Sequence, residues 1–189
     1  MQGEMADDDL IILQDDPPES QTAEAEVPWS ILIVDDDEQV HEVTRFALEG
    51  RRVLGRPLRF QSARSAAEAR ELLARQRYSL ILLDVVMEAE DAGLKLVGEI
   101  RGHFGDPAVR IVLRTGQPGF APELEVIQNY DINDYRAKSE LTSQRLLTSL
   151  TSALRSYEQI CTIEASRAGL GRVLDAASEL LSIHSLETY

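Results

Sequence analysis

The 189-residue sequence lacks several features that would define common protein classes. It has a single cysteine, Cys161, which excludes an internal disulfide and fits a reducing compartment. Its apolar runs, such as Leu80–Leu83, are far too short to span a bilayer. Only 19 Lys and Arg stand against 33 Asp and Glu, and the resulting charge of -14 disfavours nucleic-acid and anionic membrane partners. These absences favour a soluble cytoplasmic protein.

The acidic excess is concentrated at the start of the chain. Residues 1–29 contain nine acidic side chains and no Lys or Arg, together with three prolines and one apolar cluster, Leu10–Leu13. Burial of this small apolar surface cannot offset the conformational entropy that the segment would lose on ordering. We therefore expect residues 1–29 to be a disordered acidic leader. A short docking strand at Leu10–Leu13 is the alternative interpretation of the cluster.

From Ser30 onward, short apolar runs alternate with helical patterns. Strands are predicted at Ile31–Val34, Leu58–Phe60, Leu80–Leu83, Val109–Leu113 and Ile132–Tyr135. The helical patterns between them include one carried by Val40, Val43, Phe46 and Ala47, one after Ser65, one over Gly93–Arg101 and a short one over Pro122–Tyr130. Continuously apolar strands alternating with helices predict an α/β fold, a doubly wound five-stranded parallel sheet covered on both faces.

Polar residues follow the predicted strands at their carboxyl ends. These are Asp35 and Asp36 after the first strand, Asp84 after the third, Thr115 after the fourth and Lys138 after the fifth. Ligands of doubly wound folds bind beyond the carboxyl ends of the strands, so these side chains are expected to converge at one edge.

The chemistry of this set points to phosphoryl transfer. Clustered carboxylates repel one another unless a cation neutralises them, and hard oxygen ligands suit Mg²⁺. Lys138 is one of two lysines, against 17 arginines, which suggests that a compact point charge is needed at this position. An aspartate carboxylate can itself accept a phosphoryl group, and positioning with charge neutralisation is most of what that reaction requires.

Four motifs in order resemble the receiver domain of two-component response regulators. They lie at 31–37 (ILIVDDD), 82–87 (LLDVVM), 112–116 (VLRTG) and 134–138 (DYRAK). The resemblance covers about residues 30–158 and implies a flavodoxin-like strand order of 2-1-3-4-5. The segments LDVVME, LRTGQPG, YDINDY and ALRSY further resemble receivers that precede a linker domain and an HD-GYP cyclic-di-GMP phosphodiesterase.

The resemblance implies a phosphoacceptor and a metal site. Asp84 would receive the phosphoryl group from a phosphohistidine on a histidine kinase or phosphotransfer protein. Asp36, Asp84 and the backbone carbonyl of Val86 would bind Mg²⁺ directly, and Asp35 would bind it through water.

The resemblance also implies a switch. Thr115 and Lys138 would contact the phosphoryl oxygens. Tyr135 occupies the aromatic position that turns inward when Thr115 is drawn toward the phosphate, so Thr115 and Tyr135 would report the modification. Arg114, next to Thr115, is interpreted as a contact to the phosphoryl group or a partner, or as a surface salt bridge. His41 is interpreted as structural or surface-lying and not catalytic.

Two apolar stripes mark the C-terminal part of the chain. Residues Leu147 to Cys161 and Leu170 to His184 each repeat at spacings of three and four, one residue out of phase with each other. We expect the receiver domain, residues 30–158, to end in a helix that continues through 159–189 as a signalling extension. Packing on the sheet explains the stripe before about residue 157, and a homodimeric coiled coil explains the stripe beyond it.

Two other functions remain open. A haloacid-dehalogenase-like phosphatase also places Asp-x-Asp after its first strand, here Asp35 and Asp37, but that assignment leaves Asp84 unexplained. A receiver-like interaction module that is not phosphorylated is the second. The 189 residues contain no HD or GYP signature, so no enzyme is expected in this chain and any output enzyme would lie outside it.

Overall fold

The computed structural model describes residues 26–116, 132–138 and 142–186, with side chains described as far as residue 176. The elements are β1 (Trp29–Val34), α1 (Glu38–Leu48), β2 (Arg52–Val53), β3 (Arg56–Ala63), α2 (Ala66–Arg75), β4 (Leu80–Asp84), α3 (Ala92–Gly102), β5 (Arg110–Thr115), β6 (Asp134–Ala137) and α4 (Ser143–Leu186). The leader up to residue 25, the short helix predicted over Pro122–Tyr130 and residues 187–189 lie outside the described residues.

The sheet has the predicted topology with one addition. Its strand order is β2-β3-β1-β4-β5-β6, and every pairing from β3 to β6 is parallel. Without β2 this is the order 2-1-3-4-5, so the predicted fold class is confirmed. The two-residue strand β2 was not predicted, and it pairs antiparallel with the start of β3.

Apolar side chains form a core on each face of the sheet. One core packs α2 and α3 against alternate strand residues such as Ile81 and Ile111. The other joins α1 and the first half of α4 to the opposite strand faces. Trp29 anchors this second core, because its Nε1 donates to the Val53 carbonyl over 2.8 Å and its ring meets Tyr157 of α4 edge-on at 6.2 Å.

Helix α1 buries a different face from the one its apolar pattern indicates. Val43 and Phe46 are 66% and 81% exposed, whereas His41, Thr44 and Leu48 are buried. His41 and Thr44 point inward because they form hydrogen bonds with polar groups near the ends of β1 and β5. His41 pairs with the Asp35 carbonyl and Thr44 with the Arg114 guanidinium. The helix therefore leaves two large apolar side chains in solvent.

Helix α4 has two environments along its 44 residues. Leu150 and Leu154 are buried against the sheet, as predicted for the part before residue 157, and Leu146, which the predicted stripe did not include, is buried with them. Beyond Tyr157, Ile163 and Leu170 are 57% and 64% exposed. The extended C-terminal helix is confirmed, and among the described helices none has the length and apolar character needed to cross a membrane.

Candidate functional site

The pairing of β1 with β4 brings three carboxylates together. Val34 lies beside Leu83 in the register, so Asp35 follows β1 next to Asp84, the last residue of β4. Carboxylate oxygens of Asp35, Asp36 and Asp84 lie within 4.8 Å of one another. Asp35 and Asp84 are buried and Asp36 is exposed, so the cluster opens to solvent on one side.

Lys138 reaches the same point from the other half of the sheet. The register pairs Thr115 with Ala137, which places Lys138 just beyond the ends of β5 and β6. Its Nζ donates to Asp84 Oδ2 over 2.7 Å and to Asp35 Oδ1 over 3.1 Å. Thr115 is fully buried at the end of β5 and directly follows Arg114, the register partner of Asp84. The predicted residues therefore meet at one edge.

Burial and charge act in opposite directions on the two central groups. Burial raises the pKa of Asp84 above its ordinary value, although Lys138 opposes the shift. Burial alone would lower the pKa of Lys138, but the hydrogen bonds and charges of Asp84 and Asp35 outweigh it and raise that pKa. The three carboxylates of Asp35, Asp36 and Asp84 face two close cations, Lys138 and Arg114, so one negative charge is left over and a further cation is favourable there.

Arg114 has a structural role that the sequence interpretation missed. It is 1% exposed, so it is neither a surface salt bridge nor open to a partner. Its Nη2 lies 3.4 Å from Asp35 Oδ2, and its Nη1 donates to Thr44 Oγ1 over 2.9 Å. Burial lowers the pKa of Arg114, against the charges of Asp35 and Asp84. The sequence does contain a signal for this role, because Arg114 directly follows the apolar run Ile111–Leu113. An arginine at the end of a buried strand is itself expected to be buried, and a buried guanidinium requires an anion.

The Thr44 hydroxyl gives a test of this buried contact. We expect Thr44→Val to lower the free energy of unfolding by about 1–3 kcal/mol, because it leaves a buried Nη1 hydrogen without an acceptor. Thr148→Val is the matched control, since within the described part of the chain the Thr148 hydroxyl bonds to the Gln144 carbonyl alone, on an exposed helix surface. Urea unfolding measures both, and equal losses in the two variants would contradict the role given to Thr44.

Two further contacts hold the main chain around Asp35. His41 is fully buried, and its Nε2 lies 2.7 Å from the Asp35 carbonyl while its Nδ1 lies 2.8 Å from Ser62 Oγ. The Asp37 amide donates to Asp35 Oδ1 over 3.1 Å, and the Asp37 side chain caps α1 by accepting from the Gln39 amide. His41 is therefore structural, and it fixes the backbone of an acidic residue of the cluster.

The segment after Asp84 is tied to two helices. Glu88 Oε1 accepts from the Ala66 amide over 3.0 Å in the first turn of α2, where a negative charge is favourable. The Gly93 amide donates to the Val85 carbonyl over 3.1 Å, which seats the start of α3 on the end of β4. The Val86 amide lies 3.4 Å from Asp84 Oδ1, so the segment carrying the predicted carbonyl ligand adjoins the acidic cluster.

Tyr135 occupies an inward position. It is 6% exposed and belongs to the core on the α2 and α3 face of the sheet, together with Leu113. Its register partner in β5 is Leu113, two residues before Thr115. The rotation predicted for this side chain stays a prediction.

A parallel sheet in this order, with clustered carboxylates and a lysine at its carboxyl edge, defines the class of receiver-type α/β proteins. The family model "Response regulator receiver domain" matches residues 31–151, and the chain belongs to this family. A second model, "Domain of unknown function (DUF3369)", matches residues 150–189.

Relatives agree with the predicted resemblance. A 3'3'-cGAMP-specific phosphodiesterase 2 of Vibrio cholerae is 49% identical over 163 residues, covering 86% of this chain and 31% of that protein. Protein PetR of Rhodobacter capsulatus is 31% identical over 144 residues, covering 76% of this chain and 56% of that protein. The chain thus spans about a third and just over half of the two curated relatives.

Solved structures show the same fold. The signal receiver domain of an HD domain-containing protein from Pseudomonas fluorescens has a TM-score of 0.60 and 25% identity, covering 70% of this chain and 99% of that one. A CheY-like receiver domain from Methanospirillum hungatei has a TM-score of 0.58 and 22% identity, covering 70% and 98%. With the Vibrio relative, the first structure confirms the likeness to receivers of phosphodiesterases of the HD type.

Proposed function

We propose that this chain is a phosphoacceptor receiver in a two-component phosphorelay, with Asp84 as the acceptor. The observation that carries the proposal is the position of Asp84, which shares an acidic cluster and a 2.7 Å contact with Lys138. An oxygen of Asp84 would form a bond to phosphorus as the phosphorus–nitrogen bond of a donor phosphohistidine breaks, and the histidine nitrogen would keep the electron pair. The donor would be a histidine kinase or a phosphotransfer protein.

The donor set fits Mg²⁺. Asp36 and Asp84 would bind it directly, the Val86 carbonyl would be a further ligand, and Asp35 would act through water. The exposed side of the cluster, at Asp36, leaves room for the waters that this ion retains. When bound, Mg²⁺ would neutralise the carboxylates and the negative charge of the phosphoryl oxygens.

The remaining residues would hold the modified state. Lys138 would exchange its contact with Asp84 for a phosphoryl oxygen, and the Thr115 hydroxyl would donate to another. A phosphoryl group adds about -1.5 to -2 charges and three acceptor oxygens, enough to draw Thr115 toward it. Tyr135, already buried beside β5, would then be held in its inward position.

Dependence on Mg²⁺ tests this assignment. With a small acyl phosphate and Mg²⁺, we expect the protein to gain the mass of one phosphoryl group, and chelation of the metal to prevent the gain. Asp36→Asn should raise the Mg²⁺ concentration for half-maximal modification at least about tenfold, because it removes a charged ligand.

Asp37→Asn is the matched control for that variant. Asn caps helices as well as Asp does, so α1 should be kept and the Mg²⁺ dependence should stay unchanged. Modification that is indifferent to chelation, or equally impaired in both variants, would contradict the metal assignment. Absence of modification with any donor would favour the unmodified interaction module.

The output would be an enzyme outside these residues. The Vibrio relative is a cyclic-dinucleotide phosphodiesterase that is much longer than this chain, and we propose a similar output in the same pathway. Under this proposal residues 30–158 are the receiver, 159–189 are the signalling extension and 1–29 are a leader in a cytoplasmic protein.

We further propose that the extension pairs two copies of the chain. Ile163, Leu170 and Leu174 are 57%, 64% and 67% exposed, and their spacings of seven and four repeat one face of a coiled coil. Leu170→Glu is expected to shift the chain from dimer to monomer, because it places two charges in the contact. Arg172→Glu, which adds an acid on another face of the same helix, should leave the dimer intact. Sedimentation velocity separates the two outcomes, and a dimer in both variants would rule out this interface.

A further inference from the structure

An open groove lies on the sheet edge away from the acidic cluster. It has a volume of about 800 Å³ and lies between the end of α1 and the β2–β3 hairpin. Phe46, Leu58 and Phe60 supply its apolar lining, and Phe46 is 81% exposed. An exposed aromatic next to two half-buried apolar side chains is the usual composition of a docking surface.

The rim of the groove carries a small excess of basic side chains. Arg45, Arg51 and Arg52 line it, together with two acids, Glu42 on α1 and Glu49 at the C-cap of that helix. The adjoining segment 51–59 contains four arginines and no acid, in a chain whose net charge is -14. An occupant with apolar side chains flanked by negative charge is therefore the complementary ligand.

The groove also borders an unpaired strand edge. β3 pairs with β1 through residues 58–63, whereas β2 covers only Arg56 and Pro57 on the other side. Within the described residues, 58–63 of β3 therefore keep one row of backbone groups without a strand partner. Such an edge accepts a short extended segment, which gains main-chain hydrogen bonds and seats alternate side chains in the neighbouring groove.

The chain itself approaches this edge just before β1. Glu26 is ion-paired with Arg52 of β2, and Arg56 Nε donates to the Val27 carbonyl over 2.7 Å. Because Arg52 also lines the groove, the last part of the leader is fixed at its rim. The residues that precede Glu26 therefore start next to the groove.

We propose that the leader docks on its own receiver domain, with Leu10–Leu13 added as a short strand to the open edge of β3. The cluster LIIL is apolar and has two β-branched residues, Ile11 and Ile12, at its centre. It stands between Asp7–Asp9 and Asp15–Asp16, which would face the arginines of the rim. Thirteen residues separate Leu13 from Val27, and at roughly 3.3 Å each they can reach about 40 Å, which exceeds the roughly 20 Å length of residues 58–63. The leader then covers Phe46 and the C-terminal half of α1.

Hydrogen exchange of the full chain tests this docking. In the wild-type protein, the outward-facing amides of 58–62 should exchange at least about tenfold more slowly than in the double variant Ile11→Asp/Ile12→Asp, which alters only the leader. Arg51→Glu should also speed exchange, because it reverses a charge at the rim. Arg75→Glu is its matched control, since Arg75 is exposed on α2 and pairs only with Glu71 among the contacts described.

Each alternative occupant gives a different result. Equally fast exchange in the wild-type and leader variants would overturn the proposal. Protection that rises with protein concentration and persists in Ile11→Asp/Ile12→Asp would assign the groove to a second copy. Protection that appears only after a histidine kinase or phosphotransfer protein is added would assign it to that partner. If Arg75→Glu reduces the protection from hydrogen exchange as much as Arg51→Glu does, that result would also contradict docking at the rim.

Discussion

Replacement of Asp84 by asparagine is expected to abolish phosphoryl incorporation completely. Asp84 is 3% exposed, and its Oδ2 is held 2.7 Å from Lys138 Nζ at the open cluster with Asp36. An amide of the same size fills the same space but is not a nucleophile toward phosphorus. Lys138 retains Asp35 as a partner, so the fold should survive the change.

Intact-mass measurement after incubation with Mg²⁺ and a small acyl phosphate is the direct readout. Asp91→Asn is the matched control, because Asp91 is a nearby carboxylate whose contact is an exposed ion pair with Lys95. Modification that persists in Asp84→Asn would place the acceptor on another side chain. Continuous hydrolysis of a phosphate ester that depends on Asp35 would support the haloacid-dehalogenase-like alternative.

The second large effect is expected at Gly93, where α3 meets the end of β4. A Cβ on this residue would lie 2.0 Å from the Asp84 carbonyl oxygen and 2.9 Å from the Val85 Cα. Both are backbone atoms at the end of a central strand, so relief requires that the helix shift away. Gly93→Ala should therefore lower the free energy of unfolding by about 3 kcal/mol or more, at the top of the range for overpacked sites.

Gly98 in the same helix provides the opposite expectation. A Cβ there would meet nothing within 4 Å, and Gly98 is exposed. Gly98→Ala should stabilise the protein by about 0.5–1 kcal/mol, because alanine loses less conformational entropy in a helix. Urea unfolding compares the two variants directly. A small effect of Gly93→Ala would mean that α3 can move freely relative to Asp84.

Local patterns were sufficient for the five parallel strands and for the residues at their ends, but not for the short strand β2. Runs such as Leu80–Leu83 are apolar on both sides, and this is the signature of a strand covered by helices on two faces. Once the sheet is parallel, polar residues after successive strands fall at one edge. The convergence of Asp35, Asp84 and Lys138 follows from that geometry without knowledge of side-chain contacts.

Periodicity alone was insufficient for α1. The stripe of Val40, Val43 and Phe46 fits a helix but not its orientation, because the sheet edge presents the Asp35 carbonyl and the Arg114 guanidinium. Each of those buried polar groups would cost about 1–3 kcal/mol if it were left unpaired, which is comparable to the free energy that burial of Val43 or Phe46 would contribute. This orientation of α1 also leaves Phe46 exposed to solvent at the groove.

The sequence by itself determined the α/β class and the set of residues at the acidic edge, because those follow from hydrophobic period and strand direction. The strand order was implied by the resemblance to receiver domains. Only the tertiary structure decided the environment of Arg114, the inward turn of His41, the close approach at Gly93 and the open edge of β3. These features depend on distances between segments far apart in the chain, and a local pattern of residue types carries no information about such distances.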